Sequence, residues 1–173
     1  MESRATQIAR QVEKLKVLVV DDEPSMRKVV RALLQAIGIK VIHEAADGHD
    51  GLDKIRMRAP DLVILDWEMP SPNGPEFMRA VRSPEKFPLP DVPVIMLTGY
   101  SERSRVIEAM QLGVNEYLLK PVSSTALLAR IVSILVHPRP MIRRGDYYGP
   151  EPRPSLGAAK PDFAADPNEF LLV

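Results

Sequence analysis

The chain has no cysteine, which excludes a disulfide framework, thiolate metal sites and cysteine catalysis. It has no uninterrupted apolar run longer than four residues, against the roughly 20 that a membrane-spanning helix needs. The N-terminus lacks the apolar segment of a signal peptide. Net charge is missing too: 23 Lys and Arg balance 23 Asp and Glu, so no global field draws the chain toward nucleic acid or a membrane surface. Together these absences predict a cytoplasmic protein whose partners are neither nucleic acid nor membrane.

What remains suits one globular domain with an appendage. The 173 residues are 45% hydrophobic and 27% charged, enough for one core. Proline is unevenly spread, with ten of 17 before residue 137 and seven in 137–173. The stretch from Arg139 to Pro167 has no apolar periodicity and predicts an extended arm that does not fold alone. Ile8, Val12 and Leu15 fall at near-helical spacing and predict a short leading helix. The expected organisation is a leader at 1–14, a domain at 15–136 and a proline-rich arm at 137–173.

Within the domain, apolar strands and amphipathic helices alternate. The runs Val17–Val20, Leu62–Leu65 and Val94–Leu97 are short, continuous and bounded by turn residues, the pattern of parallel strands buried on both faces. Weaker strands fit Ile39 to His43 and Glu116 to Leu119. Met26, Val29, Val30, Leu33, Leu34 and Ile37 share a helical face that stops at Gly38. Asp50 to Arg58 and Pro75 to Arg82 read as two further helices. Ser101 is placed to cap a fourth, carrying Val106, Met110 and Leu112 and ended by Gly113; Ser123 or Ser124 caps the last, carrying Leu127, Leu128, Ile131 and Leu135. Five strands alternating with five helices predict an α/β fold with a doubly wound parallel sheet. Such sheets bind ligands where the strands end.

The strand ends carry chemistry. The first strand runs into Asp21 and Asp22, the third into Asp66, the fourth into Thr98 and the fifth into Lys120. Clustered carboxylates repel unless a divalent cation sits among them, and Mg²⁺ favours a few carboxylates with water and phosphate oxygens. A lysine can neutralise a phosphoryl group, and a hydroxyl can donate to it. Asp66 is the candidate nucleophile, since Asp21 and Asp22 are better placed to hold metal. Each residue alone has an ordinary reading as a cap, a turn residue or a surface charge. The ordered combination, each member closing a buried strand, outweighs those readings.

The runs Val17–Pro24, Asp61–Pro70, Pro93–Gly99 and Asn115–Pro121 resemble the receiver domain of response regulators, over roughly residues 15–136. The resemblance implies the CheY-like sheet order 2-1-3-4-5. It implies that Asp66 accepts a phosphoryl group from a sensor histidine kinase or a histidine phosphotransfer protein. Asp22 and Asp66 would bind Mg²⁺ directly, Asp21 through water, and the backbone carbonyl of Glu68 would complete the set. Lys120 and Thr98 would hold the phosphoryl oxygens, Tyr117 would be the aromatic switch, and Lys120–Pro121 would be a cis peptide. Glu68 and Tyr100 are expected to tune phosphoryl loss.

Arg139, Arg143 and Arg144 form a basic cluster without a folded DNA reader, and residues 137–173 are too few for one. The expectation is therefore a single-domain response regulator signalling through a protein surface formed by the domain's fourth helix, fifth strand and fifth helix. The alternative is an Asp-nucleophile phosphatase on a similar sheet, with Glu68 as its acid. The arm, with Tyr147, Tyr148 and the apolar end Phe170–Val173, either stays unstructured or docks on its own domain or on a second copy. A homodimer would form through that arm or through the signalling face. The proline-rich connection from Ser83 to Pro93 is expected beside the active rim. Trp67 is expected to cover that rim, and Met26, Met57, Met78, Met96 and Met110 to fill core. His43, His49 and His137 lack metal-ligand spacing.

Overall fold

The three continuous apolar runs occupy the centre of a five-stranded parallel sheet. The computed structural model of the chain describes residues 2–153. The strands are β1 (Lys16–Val20), β2 (Val41–Ala45), β3 (Leu62–Asp66), β4 (Val94–Thr98) and β5 (Glu116–Leu119), in the order β2-β1-β3-β4-β5. Between and around them lie α1 (Arg4–Glu13), α2 (Pro24–Ala36), α3 (Gly48–Arg58), α4 (Gly74–Val81), α5 (Arg103–Gln111) and α6 (Ser124–Val136).

The period of two along each strand sorts its side chains between two cores. Leu18, Val20, Val63, Leu65, Val94 and Met96 pack with Ile55, Phe77 and Ala109 from α3, α4 and α5. Val17, Val19, Ile64, Ile95 and Leu97 pack with Val30, Leu34, Leu127 and Ile131 from α2 and α6. Burial on both faces explains why these strands read as unbroken apolar runs.

Five helices of the domain fall where the periodicity puts them, and the leader is a sixth. Ser3 caps α1 by accepting from Thr6 N at 3.2 Å, and Val12 then reaches the second core. Several expectations are corrected. β2 begins at Val41, because Ile39 belongs to the end of α2: Ile39 N donates to Leu34 O at 3.0 Å after Gly38 turns at φ 98°. α5 starts at Arg103 behind Glu102, whose side chain makes no cap bond, so Ser101 lies one residue too early. Val29 and Met57 face solvent, Met57 at 70% exposure, rather than filling core. Trp67 is buried against Gly74, where a Cβ would lie 2.3 Å from the indole Cε3.

The arm is the largest correction. Residues expected to lack regular structure form an antiparallel hairpin, β6 (Met141–Arg144) and β7 (Tyr147–Pro150), turned at Gly145 with φ 57°. It lies against its own domain. Tyr148 Oη donates to Asp91 Oδ1 at 2.5 Å, Arg139 Nη2 donates to Asn115 O at 2.6 Å, and Arg143 pairs with Glu85. Arg153 pairs with the buried Glu116, to which Arg130 also comes within 3.9 Å. Proline allows this because it sits at hairpin ends, Pro140 before β6 and Pro150 closing β7. The segment Phe170–Val173, read as groove-seeking, lies outside the described residues.

The connection from Ser83 to Pro93 is also displaced from its expected place. It leads into the N-terminal end of β4, so it sits opposite the rim where the strands finish. Its organiser is Arg82, buried and charged, which follows α4. Arg82 donates to Gly113 O at 3.0 and 2.9 Å, to Pro90 O at 2.6 Å, to Val92 O at 2.7 Å and to Asn115 Oδ1 at 2.9 Å. Burial lowers its pKa to about 10, which still leaves it charged at neutral pH. Arg82→Leu strands these acceptors without a donor and is expected to cost about 3 kcal/mol or more. Urea denaturation checks this; a loss below about 1 kcal/mol would contradict the role given to Arg82.

Candidate functional site

Backbone pairing carries the sheet one residue past several strand ends and so fixes the rim. Asp21 N donates to Ala45 O at 3.1 Å, Trp67 N to Leu97 O at 3.0 Å, and Lys120 N to Thr98 O at 2.8 Å. Because β1, β3, β4 and β5 are parallel, Asp21, Asp66, Thr98 and Lys120 emerge at the same end.

Asp66 and Lys120 are joined directly: Lys120 Nζ donates to Asp66 Oδ1 at 2.9 Å. The Glu68 amide donates to the same oxygen at 3.2 Å. Burial by itself would pull the Lys120 ammonium down, but the Asp66 hydrogen bond and the Asp66, Asp21 and Glu68 charges outweigh it and raise its pKa. Lys120 is therefore a cation at neutral pH.

Asp21, Asp22 and Asp66 each offer a carboxylate oxygen, all within 4.8 Å of one another. Asp21 and Asp66 are only 2% and 3% exposed. Asp21 Oδ1 accepts from Glu23 N at 2.9 Å, while Oδ2 is buried with no hydrogen-bond partner. A buried, unpartnered anionic oxygen facing two further carboxylates fits a hard divalent cation such as Mg²⁺. Burial pushes the Asp21 carboxyl up to about 6; Asp66 and Asp22 add to the rise, opposed by the Glu23 amide and Lys120. No other convergence of three or more His, Cys, Asp or Glu side chains occurs among the described residues.

Thr98 is fully buried, and its hydroxyl donates to the Glu68 carboxylate. Tyr100 N donates to Thr98 Oγ1 at 3.1 Å, and the Tyr100 ring is exposed, with the Arg105 guanidinium 4.1 Å from its centroid. Tyr117 pairs with Met96 across the sheet and is half-buried against the first core; burial raises its phenol pKa. Lys120–Pro121 is cis, and so is Ser71–Pro72, which the sequence reading did not anticipate.

Two functional contacts were missed. Arg27 Nη1 donates to Asp21 O at 2.7 Å, gripping the acidic turn from α2; nothing in its surface-like sequence context marked it. The reach of the Glu68 side chain to Thr98, 30 residues away, was likewise invisible.

Comparison with known proteins agrees with this geometry. The sequence model of the response regulator receiver domain matches residues 17–132. The chemotaxis protein CheY of Pseudomonas aeruginosa is 38% identical over 120 residues, which cover 69% of this chain and 95% of that protein. CheY4 of Vibrio cholerae superposes with a TM-score of 0.61 at 34% identity, covering 68% of this chain and 95% of that one. The receiver domain of Francisella response regulator 1452 gives 0.62 at 30% identity, covering 70% and 96%.

The raised Asp21 carboxyl has a consequence in metal-free protein. A folded pKa above the unfolded value of 3.8 favours the neutral form, so this group's stabilisation is complete below about pH 4 and lost as pH rises through about 6. Asp21→Asn is expected to stabilise the chelator-treated protein at pH 7 by up to about 3 kcal/mol. The difference should vanish toward pH 4 in urea denaturation. A gain that is equal at both pH values would contradict the burial-driven shift.

Proposed function

The chain belongs to the response regulator receiver family, and from that premise we propose that Asp66 is its phosphoacceptor and that the protein signals as a phosphorylation-controlled switch. The observation that carries this reading is the meeting at the rim: Asp66 Oδ1 lies 2.9 Å from Lys120 Nζ, beside an unpartnered Asp21 oxygen. A carboxylate oxygen of Asp66 attacks phosphorus of a phosphohistidine on a kinase or phosphotransfer protein. The P–N bond breaks, and the imidazole nitrogen leaves with the electron pair. Lys120 is positioned to neutralise the transferred oxygens and Thr98 to donate to one of them. Asp21, Asp22, Asp66 and the Glu68 carbonyl would hold Mg²⁺, which supplies charge neutralisation and alignment for in-line displacement.

The output surface in this reading is formed by α5, β5 and α6, which flank Thr98 and Tyr117. A protein partner fits better than nucleic acid, because the basic cluster of the arm is already engaged. Arg139 donates to Asn115 O and Glu151 O, Arg143 pairs with Glu85, and Arg144 lies 4.0 Å from Glu151. The hairpin's contacts with its own domain favour intramolecular docking of residues 139–153 over a dimer built through them. The phosphatase alternative needs Glu68 free as an acid, and the engagement of its carboxylate by Thr98 counts against it.

Incubation with acetyl phosphate and Mg²⁺ is expected to add one acid-stable, base-labile phosphoryl group, observed as a single mass increment. Asp66→Asn should abolish it. Undiminished labelling of that variant, or no labelling of the native chain, would refute the assignment.

A further inference from the structure

A threonine hydroxyl has one proton and donates to one acceptor at a time. Here the Thr98 proton goes to Glu68 Oε1, while Thr98 Oγ1 accepts from Tyr100 N at 3.1 Å. The other Glu68 oxygen accepts from Gly99 N at 3.4 Å. Thr98 is wholly buried and Glu68 half-buried. A hydroxyl–carboxylate bond shielded in this way belongs to the strong, charge-assisted class. The Glu68 amide also donates to Asp66 Oδ1. One residue therefore touches both the acceptor carboxylate and the hydroxyl that its phosphoryl group would need.

We propose that the Glu68 side chain is a latch, competing with the phosphoryl group for the Thr98 proton and holding the β4–α5 loop in its unphosphorylated arrangement. The proposal rests on the receiver reading above and goes beyond it. The two anions cannot share one proton, so phosphorylation and the latch are mutually exclusive uses of the same hydroxyl. Release of the latch frees Gly99 together with Thr98. Glu68 is a positioning residue, acting through Thr98 and setting the threshold that phosphorylation must exceed.

The test titrates beryllofluoride, a phosphoryl mimic, onto the full chain in Mg²⁺ and follows binding by fluorescence of Trp67, the single tryptophan. Glu68→Ala is expected to bind about tenfold more tightly than the native chain. Glu68→Gln, which loses the charge but keeps an acceptor oxygen, should gain less. In a Thr98→Ala background the Glu68→Ala gain should disappear. Equal gains for Ala and Gln, or a gain that persists without Thr98, would mean simple charge removal and overturn the latch. In metal-free protein, the Gly99 and Tyr100 amide resonances of Glu68→Ala should move toward their beryllofluoride-bound positions; unmoved resonances would also overturn it. Failure of the native chain to bind beryllofluoride would instead strike at the receiver reading itself.

Discussion

Carboxylates brought within 4.8 Å of one another repel, and the repulsion strengthens as water is excluded. Asp21 and Asp66 are almost fully buried, so the rim holds together only because the scaffold leaves them nowhere to go. Each acid is tied to a strand whose two faces are packed into separate cores, and the ladder extends past the strand end to the acid or its neighbour. Lys120 relieves Asp66 directly. Asp21 has no ion-pair partner in contact, and burial, with the Asp66 and Asp22 charges, raises its carboxyl pKa despite the Glu23 amide and the more distant Lys120. The acidic cluster is thus a standing demand for a cation, set by the sheet rather than by any one residue.

The rim contains a second scarcity, the single proton of Thr98. A charge-assisted hydrogen bond contributes about 1.5–3 kcal/mol, whereas moving a two-state equilibrium from 1:99 to 99:1 takes about 5.5 kcal/mol. No single contact to a phosphoryl group drives such a change while also displacing Glu68. In the proposed switch Lys120, Thr98 and a cation act together, which gives a physical reason for all of them to gather at one rim.

Much of this is legible in the sequence. Continuous apolar runs betray strands buried on both faces, and parallel strands necessarily deliver their last residues to one rim, so Asp66, Thr98 and Lys120 could be gathered from spacing alone. What escaped were interactions set by side-chain reach. Arg27 looks like a surface charge in sequence, and Glu68 could be set beside the site but not against Thr98; only the fold brings these side chains to Asp21 and Thr98. Arg82 did carry a signal: it follows Phe77, Met78 and Val81 on the apolar face of α4, where a charge needs buried acceptors. The hairpin escaped because proline density suggests an extended chain, while Tyr147–Gly149 has too little alternation to declare a strand.

The far end of the domain gives motion at the rim a direction. Arg82 grips the Gly113 carbonyl just beyond α5, and the hairpin lies against the same turn, with the Tyr148 carbonyl 2.9 Å from where a Gly113 Cβ would sit. The other end of α5 has no side-chain cap and hangs from the β4–α5 loop that Glu68 holds. In the proposed switch, release of the loop acts on the end of α5 that has no side-chain cap, since Arg82 and the hairpin hold the turn at its other end. That end carries Tyr100 and Arg105, stacked at 4.1 Å, and Ile107 follows on the exposed side. In that reading a rearrangement begun at one buried hydroxyl reaches an exposed surface, while the proline-rich connection and the hairpin lie at the opposite end of the sheet.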